Sequence, residues 1–365
     1  MRLRSLDLLR GLAVIGMILV NNPGADADAP VQLRHAGWTG ITFADTVAPA
    51  FMWVVGFAMA LSFARRRAAA GGPGTVRRHV VRRALTLMLI GVGLKLGLAL
   101  VPDFDPARLA GLEAMGILQR IAVAYAVGAF VLLAGWPAGR TAVALMAGST
   151  AVMLVGAGTW SAAVAFGPHT NLALRLDTLL LGGHASRAHS LLSILPAAAT
   201  VLLGAAMARA ALDGDGIRVT RRIVLVHALL PLLTGGLLGL VVPVSRYLWS
   251  PSFALLTAGL SAAALLLLQR APGPAAGGRW LAPVVAVGAN PLLLFVLSEA
   301  GRIVLSAFGT AGADGRWRSL WQLGFEALAG RLPATTASVV FSVGYLTVFV
   351  ALAMVLARRG VYVKL

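Results

Sequence analysis

Long apolar runs separated by short polar segments dominate the pattern of hydrophobic and polar positions along this chain. A helix needs about 20 consecutive apolar residues to cross the hydrocarbon core of a bilayer. The suitable runs predict helices at about 5–21, 42–63, 81–101, 112–134, 140–158, 190–211, 222–242, 251–269, 280–307 and 336–357. No stretch is long and polar enough to form a separate soluble domain. We therefore expect an all-α, polytopic bundle of about ten transmembrane helices that forms one domain over residues 1–365.

The ninth run is unusually long and contains the dipeptide Asn290-Pro291. A proline inside a helix removes a backbone donor and clashes with the preceding turn, so it kinks or breaks the helix. Membrane proteins tolerate such breaks where the backbone is buried in protein or lines a cavity. We expect a kink or a break between residues 280 and 307.

The composition agrees with a membrane protein, since 59% of the residues are hydrophobic and only 12% are charged. Soluble domains carry about 25% charged residues. The chain has no cysteine, which excludes disulfides, thiol catalysis and cysteine metal sites. Its carboxylates and histidines lack the spacing of metal ligands, so we expect no metal.

The net charge of +18 comes almost entirely from arginine. Nucleic-acid binding is one interpretation of such a charge. The arginines, however, lie at the ends of the apolar runs, where the positive-inside rule and contact with anionic lipids place them. We therefore expect membrane lipids as partners and no nucleic acid.

The distribution of lysine and arginine also predicts an orientation. With the N-terminus in the cytoplasm and alternating spans, nineteen of these residues lie in cytoplasmic segments and eight on the other side. Asp7 and Arg10 interrupt the apolar core that a cleaved signal peptide would need. We expect an uncleaved first helix and both termini in the cytoplasm.

Ionisable side chains within the predicted spans are candidates for function, because they are costly in a membrane. Asp7 and Arg10 are three residues apart, so they share one face of the first helix. Glu299 and Arg302 have the same spacing late in the ninth run. Each pair can be a structural ion pair or part of a site, and both interpretations stay open.

The densest group of polar residues extends from Asn21 to Asp45, between the first two helices. His35 and Asp45 are ten residues apart. They can meet only if the segment 35–41 folds back on the mouth of the second helix. A lone histidine in a loop is more often simply solvated, so pattern alone does not assign His35 a role.

Several motifs resemble the heparan-alpha-glucosaminide N-acetyltransferase family and its bacterial relatives. The similar segments are SLDLLRG at 5–11, MILVNNPG at 17–24, HAGWTG at 35–40 with Asp45, GILQR at 116–120, LD at 176–177, LLLG at 179–182 with His184, LSILP at 192–196, NPL at 290–292 and SE at 298–299. They occur in order over most of the chain. The chain departs from many bacterial members at residues 186–190, where it has SRAHS in place of an Asp-Pro-Glu-Gly stretch.

The resemblance implies a transmembrane acetyltransferase of the bacterial cytoplasmic (inner) membrane. Such an enzyme takes acetyl from cytoplasmic acetyl-CoA and delivers it to the amine of a glucosamine-type sugar on the outer side. The family's catalytic histidine falls on His35, and an asparagine after the first helix falls on Asn21. A histidine can remove the amine proton, and the asparagine amide can donate to the acetyl oxygen or hold the histidine.

The remaining polar residues fall into three expected groups. We expect Trp38, Asp45 and Asp177 to bind the acceptor or support the site. Because CoA carries phosphates, we expect its binding by Arg10, Arg82, Arg83, Gln119 and Arg120. We expect a structural polar network of Asp7, Asn290 and Glu299. For the arginines, contact with anionic lipid is an equally good interpretation.

Two other functions fit the same pattern, and a third fits it poorly. Intramembrane charges and the Asn290-Pro291 break suit an amino-sugar transporter. An O-acetyltransferase that acts on a cell-envelope glycan would keep the acyl chemistry and change the acceptor. A non-catalytic scaffold would not need the polar cluster at 21–45. The sequence does not identify the acceptor. It also leaves open whether transfer is direct or passes through an acetyl-histidine intermediate, and whether the protein is a homodimer.

Overall fold

The computed structural model describes residues 3–68, 73–100, 106–186, 188–213, 216–217, 219–272, 278–311 and 315–363. The described chain is mostly helical. Its main helices are α1 (Arg4–Asn21), α2 (Phe43–Ala68), α3 (Pro73–Leu100), α4 (Ile117–Leu133), α5 (Ala138–Trp160), α6 (Leu172–Leu181), α7 (Ile194–Ala211), α8 (Arg221–Leu238), α9 (Pro251–Leu268), α10 (Ala282–Ala289), α11 (Pro291–Ala307), α12 (Leu320–Ala329) and α13 (Ala334–Arg358).

Short elements connect these helices. A π-helical turn at Val224–Leu229 lies within α8. Single helical turns occur at Asp26–Asp28, Val31–Leu33, Pro106–Gly111, Ala162–Ala165, Gly182–His184 and Gly278–Leu281. Two antiparallel hairpins pair β1 (Leu212–Asp213) with β2 (Gly216–Ile217) and β3 (Gly309–Ala311) with β4 (Trp317–Ser319). In the second hairpin, Gly309 pairs with Ser319.

Each predicted apolar run overlaps a helix among the described residues. The helices of the fourth, sixth and seventh runs are shorter than predicted, because residues 112–116, 190–193 and 239–242 are not helical. Within the described ranges, seven helices are long and apolar enough to cross a membrane, or eight if a bent helix pair counts as one span. Helix α1 falls outside this group because Arg4, Asp7 and Arg10 lie within it, and α4 because it has 17 residues. A mostly helical membrane bundle with little sheet is therefore supported, while ten spans, a single domain and cytoplasmic ends stay predictions.

The expected break in the ninth run is present. Helices α10 and α11 meet at Asn290 and are bent by 78°. The Asn290 side chain is buried and bonds to the chain after α13: its Nδ2 donates to the Val361 carbonyl at 2.9 Å, and its Oδ1 accepts from the Val363 amide at 2.8 Å. Asn290 thus connects the break to the C-terminal segment.

The bundle is centred on α2 and α7, which make its most extensive helix contact. Glycines allow the two backbones to approach closely: a Cβ at Gly204 would lie 2.0 Å from the Trp53 carbonyl oxygen, and one at Gly56 1.8 Å from that of Val201. Small residues serve this purpose in membrane helix pairs. The contact holds α2 firmly, and the first turn of α2 carries part of the site.

Candidate functional site

The loop before α2 folds back onto the first turn of that helix. The Asp45 side chain is fully buried there, and its Oδ2 accepts hydrogen bonds at 3.0 Å from the Ala36 amide, the Thr42 amide and the Thr42 hydroxyl. Its Oδ1 lies 2.9 Å from Nδ1 of His35. The structure therefore brings together the two residues that the sequence leaves ten positions apart.

This contact determines which nitrogen of His35 is available as a base. A carboxylate only accepts hydrogen bonds, so Nδ1 of His35 carries the proton and Nε2 keeps a free lone pair. The guanidinium of Arg246 adds a positive charge, with its Nε 3.7 Å from Oδ1 of Asp45. Asp45 thus lies between His35 and a positive charge, and it is placed to orient the His35 ring.

Trp38 connects the same loop to two other segments, one between α5 and α6 and one after α8. Its indole N–H donates to the Phe166 carbonyl, and its ring stacks on Tyr247 with centroids 5.1 Å apart and an interplanar angle of 16°. Its carbonyl accepts from the Ser245 hydroxyl at 2.7 Å. Tyr247 therefore covers one face of the Trp38 ring, and binding of an acceptor by Trp38 stays a prediction.

A cavity of about 150 Å³ lies beside His35 and Asp45. Its polar lining residues are Asn21, His35, Asp45, Arg120, His189, Arg246 and Trp249. Apolar residues of α1, α2, α4, α9 and α11 form the rest of the wall. The cavity therefore brings together residues from distant parts of the chain.

Asn21 enters this cavity from the end of α1. Its Nδ2 donates one hydrogen bond to Oε1 of Glu299 at 3.3 Å, and its carbonyl accepts from Arg302 at 2.9 Å. A primary amide has two N–H groups, and within the described part of the chain only Glu299 accepts from this one, so the second N–H can donate to a ligand. Asn21 and Glu299 also line a neighbouring cavity of about 180 Å³, together with Lys95 and Gln119. Glu299 is thus placed to orient Asn21.

A larger cavity of about 340 Å³ is bordered by Phe51 of α2 and Leu292 of α11. It is lined by Arg10 and Arg83 and begins about one helical turn from the His35 cavity along α2 and α11. The Arg83 guanidinium lies 5.0 Å from the centroid of the Tyr125 ring. Two arginines and an aromatic ring therefore line a space next to the His35 cavity.

The other residues expected to bind the acyl donor do not line this larger cavity. Arg82 is exposed and is not among the residues that line the larger cavity. Gln119 lines the cavity beside Asn21, and Arg120 lines the His35 cavity. Of the expected network, Asp7 Oδ1 lies 3.5 Å from an Arg10 nitrogen. The functional roles of all five residues stay predictions.

Arg120 and Asp177 hold the loop that carries His189. Arg120 is only 2% exposed and donates to the Ala188 carbonyl at 2.8 Å. Both oxygens of Asp177 accept from the Leu191 amide, at 3.0 and 3.2 Å. Burial raises the pKa of Asp177 to about 6, against the effects of that hydrogen bond and of Arg120. Asp177 is not among the lining residues of the His35 cavity, so contact with an acceptor there stays a prediction.

Three residues of the cavity were not singled out from the sequence: His189, Arg246 and Trp249. Each belongs to a loop, and no spacing connects them to His35. Burial, and then the positive charges of Arg120, Arg246 and Lys95, lower the pKa of His189 well below its ordinary value, so this ring is neutral at pH 7. Among the described residues, no group of three or more histidines and carboxylates is placed to hold a metal ion.

Comparison with known proteins identifies the family to which the chain belongs. Residues 2–236, more than half of the chain, match the family model described as "Heparan-alpha-glucosaminide N-acetyltransferase, catalytic". The heparan-alpha-glucosaminide N-acetyltransferase of Homo sapiens is 31% identical over 134 residues, which are 36% of this chain and 19% of that protein. The Mus musculus protein of the same name is 30% identical over 137 residues, or 37% and 20%. The alignments thus span about a fifth of the length of these relatives. The matched model region contains Asn21, His35 and Asp45, and the chain belongs to the heparan-alpha-glucosaminide N-acetyltransferase family.

Proposed function

We propose that this protein transfers an acetyl group from cytoplasmic acetyl-CoA to the amine of a glucosamine-type sugar on the outer side of a bacterial inner membrane. The observation that carries the proposal is the contact between His35 and the buried Asp45 at the wall of a small cavity. This arrangement favours the tautomer of His35 in which Nε2 can act as the general base of acyl transfer. Family membership supports the same chemistry.

The reaction needs a base, an acyl donor and a route for one proton. The neutral amine attacks the thioester carbon, so a C–N bond forms and the C–S bond breaks. Nε2 of His35 takes the proton from the amine and returns it to the CoA thiolate, while Asp45 stabilises the imidazolium. The free N–H of Asn21 can donate to the acetyl oxygen. Attack by His35 itself, to give an acetyl-imidazole that the amine then cleaves, uses the same groups.

The larger cavity supports the proposed entry of acetyl-CoA from the cytoplasmic side. Arginine guanidinium groups bind phosphates through charge-assisted hydrogen bonds, and Arg10 and Arg83 line this cavity. The thioester end would then extend past Phe51 towards His35. On this arrangement the donor and the acceptor approach the reacting atoms from opposite faces of the membrane.

The test is acetyl transfer by the purified chain, the variant His35→Ala and the control His169→Ala, which changes an exposed loop histidine. Release of CoA can be followed with a thiol reagent because the chain contains no cysteine. We expect glucosamine-dependent release by the wild type and the control, and a loss of about a thousandfold or more in His35→Ala. A wild-type rate in His35→Ala would contradict the role of His35.

The choice of acceptor separates this function from its rivals. Formation of an N-acetyl amide with glucosamine supports N-acetyl transfer, whereas release of CoA only with hydroxyl glycans indicates an O-acetyltransferase. Flux of the sugar into vesicles without consumption of acetyl-CoA indicates a transporter. Either of these last two results would overturn the proposal.

A further inference from the structure

Three nitrogen atoms in the wall of the His35 cavity are buried and have no hydrogen-bond partner among the residues that the structure describes. They are Nε of Arg120, Nδ1 of His189 and Nε1 of Trp249. Arg120 and Trp249 are each only 2% exposed. Because nearly all buried polar groups in proteins have partners, three such atoms around one small cavity indicate a ligand.

Arg120 contacts both the Trp249 ring and the backbone next to His189. Arg120 donates through a different nitrogen to the carbonyl of Ala188, the neighbour of His189, at 2.8 Å. Its guanidinium lies 4.6 Å from the centroid of the Trp249 ring. The free nitrogens therefore belong to side chains that already have fixed neighbours. Such preorganised donors do not need to reorient when charge develops on a substrate.

The backbone at Trp249 is strained. Its φ of 46° lies in the left-handed region, which a bulky residue rarely adopts. Two bonds hold this turn: the Ser250 amide donates to the Ser245 carbonyl, and the Ser245 amide donates to the Ser250 hydroxyl, both at 3.0 Å. Strain of this kind is concentrated at functional sites. Here the strained conformation places the Trp249 ring against Arg120.

The positive charge around these three nitrogens favours binding of a ligand oxygen that carries negative charge. Arg120 and Arg246 both line the cavity, while Asp45 is engaged with His35 and Asp177 with the Leu191 amide. His189 is neutral at pH 7 because burial and the arginines lower its pKa. A neutral imidazole offers one N–H. The site can therefore present three donors together with a surplus of positive charge.

We infer that Arg120, His189 and Trp249 form an oxyanion site for acyl transfer, an inference that rests on the proposed function. They donate to the thioester carbonyl oxygen of bound acetyl-CoA, in addition to any donation from Asn21. When the amine nitrogen adds to the carbonyl carbon, the π electrons of the C=O bond move to this oxygen. The oxyanion then collapses, reforms the C=O bond and expels the CoA thiolate, while the amine proton goes to His35.

The first test measures the carbonyl directly by isotope-edited infrared spectroscopy. Acetyl-CoA labelled with ¹³C at the carbonyl is bound to the full chain carrying His35→Ala, in which we expect no turnover. We expect its C=O band at a lower wavenumber than in solution, because hydrogen bonds weaken the C=O bond. Addition of Trp249→Phe, which keeps a ring and removes the N–H, moves the band back towards the solution value. Trp136→Phe, at an exposed position, leaves the band unchanged.

The second test uses kinetics in the presence of His35. We expect Trp249→Phe and Arg120→Lys each to lower kcat by about a hundredfold and to leave the KM for glucosamine within about twofold. The inference would be wrong if Trp249→Phe left the C=O band unchanged and neither variant lowered kcat. A raised KM confined to acceptors with an acidic group would also overturn it, because the three side chains would then bind the acceptor.

The infrared test also distinguishes failure of the proposed function from failure of the oxyanion site. Absence of any bound acetyl-CoA band would overturn the proposed function and this inference together. A wild-type rate in His35→Ala would overturn only the role of His35, since the position of the carbonyl band still tests the three donors. A bound band at the solution wavenumber would overturn the oxyanion site alone.

Discussion

Nδ1 of His35 lies 2.9 Å from Oδ1 of Asp45, and this contact couples a loop residue to the first turn of a buried helix. The other oxygen of Asp45 accepts three hydrogen bonds from Ala36 and Thr42 on the same loop. The carboxylate therefore orients both the imidazole and the backbone next to it. Because α2 is packed tightly against α7, the orientation of His35 depends on the core of the bundle.

Loss of the Asp45 carboxylate should impair catalysis more than binding. In Asp45→Asn the amide can turn its NH₂ group to Nδ1 of His35, which stabilises the tautomer with the proton on Nε2. We expect kcat for acetyl transfer to fall by about a thousandfold or more, with little change in the KM of either substrate. The exposed Asp26→Asn makes the same change of charge and serves as control. Equal rates for the two variants would contradict the role of Asp45.

Arg83 and Arg82 provide a matched pair for the acyl-donor site. Arg83 lines the larger cavity and Arg82 is exposed. If Arg83 binds a CoA phosphate, Arg83→Gln should raise the KM for acetyl-CoA by about tenfold or more. Arg82→Gln should leave the KM within about twofold. A similar KM for both variants would favour contact with anionic lipid for these arginines.

The buried carboxyl of Asp177 predicts a pH dependence of stability. Its pKa is about 6 in the folded protein, against an ordinary value of 3.8. Between these values the folded chain keeps a proton that the unfolded chain has lost. Its stabilising contribution is complete below pH 3.8 and is lost as the pH rises through about 6. Thermal unfolding in detergent at pH 4 to 8 should therefore show Tm of the wild type falling relative to Asp177→Asn. A difference that does not vary with pH would contradict this pKa.

The close approach of α2 and α7 can be tested with a pair of glycines. Gly204→Val would place side-chain atoms against the Trp53 carbonyl, whereas a Cβ at Gly148 meets no atom within 4 Å. Forcing extra carbons into a packed core typically costs about 1–3 kcal/mol. We expect Gly204→Val to lower Tm by several degrees and Gly148→Val to leave it nearly unchanged. The same Tm for both variants would show that the two backbones do not touch.

The proposed orientation can be tested by single cysteines, since the natural chain has none. Thr39 lies in the exposed loop near His35, and Thr75 is exposed at the start of α3. In intact cells, an impermeant maleimide should label Thr39→Cys from outside and should label Thr75→Cys only after the cells are opened. The opposite result would reverse the predicted orientation.

Much of the helical architecture follows from local properties of the chain. A run of about 20 apolar residues forms a helix in a membrane because the backbone cannot find hydrogen bonds elsewhere, and such runs predicted where the helices lie. The break at Asn290 was also predicted, because a proline lacks the donor that a continuous helix needs. The cysteine-free composition and the excess of arginine are likewise properties of the sequence alone.

The cavity next to His35 depended on tertiary structure. Nothing in the spacing of His189, Arg246 and Trp249 connects them to His35. His189 lies on the loop before α7, Arg246 and Trp249 share the loop between α8 and α9, and these side chains meet beside His35 only after the helices pack. Packing also decided which of the adjacent residues Arg82 and Arg83 lines the larger cavity, because it determines which face of α3 meets the bundle. The sequence by itself determined a helical membrane protein and a candidate histidine. Only the folded bundle decided which carboxylate orients that histidine and which donors surround it.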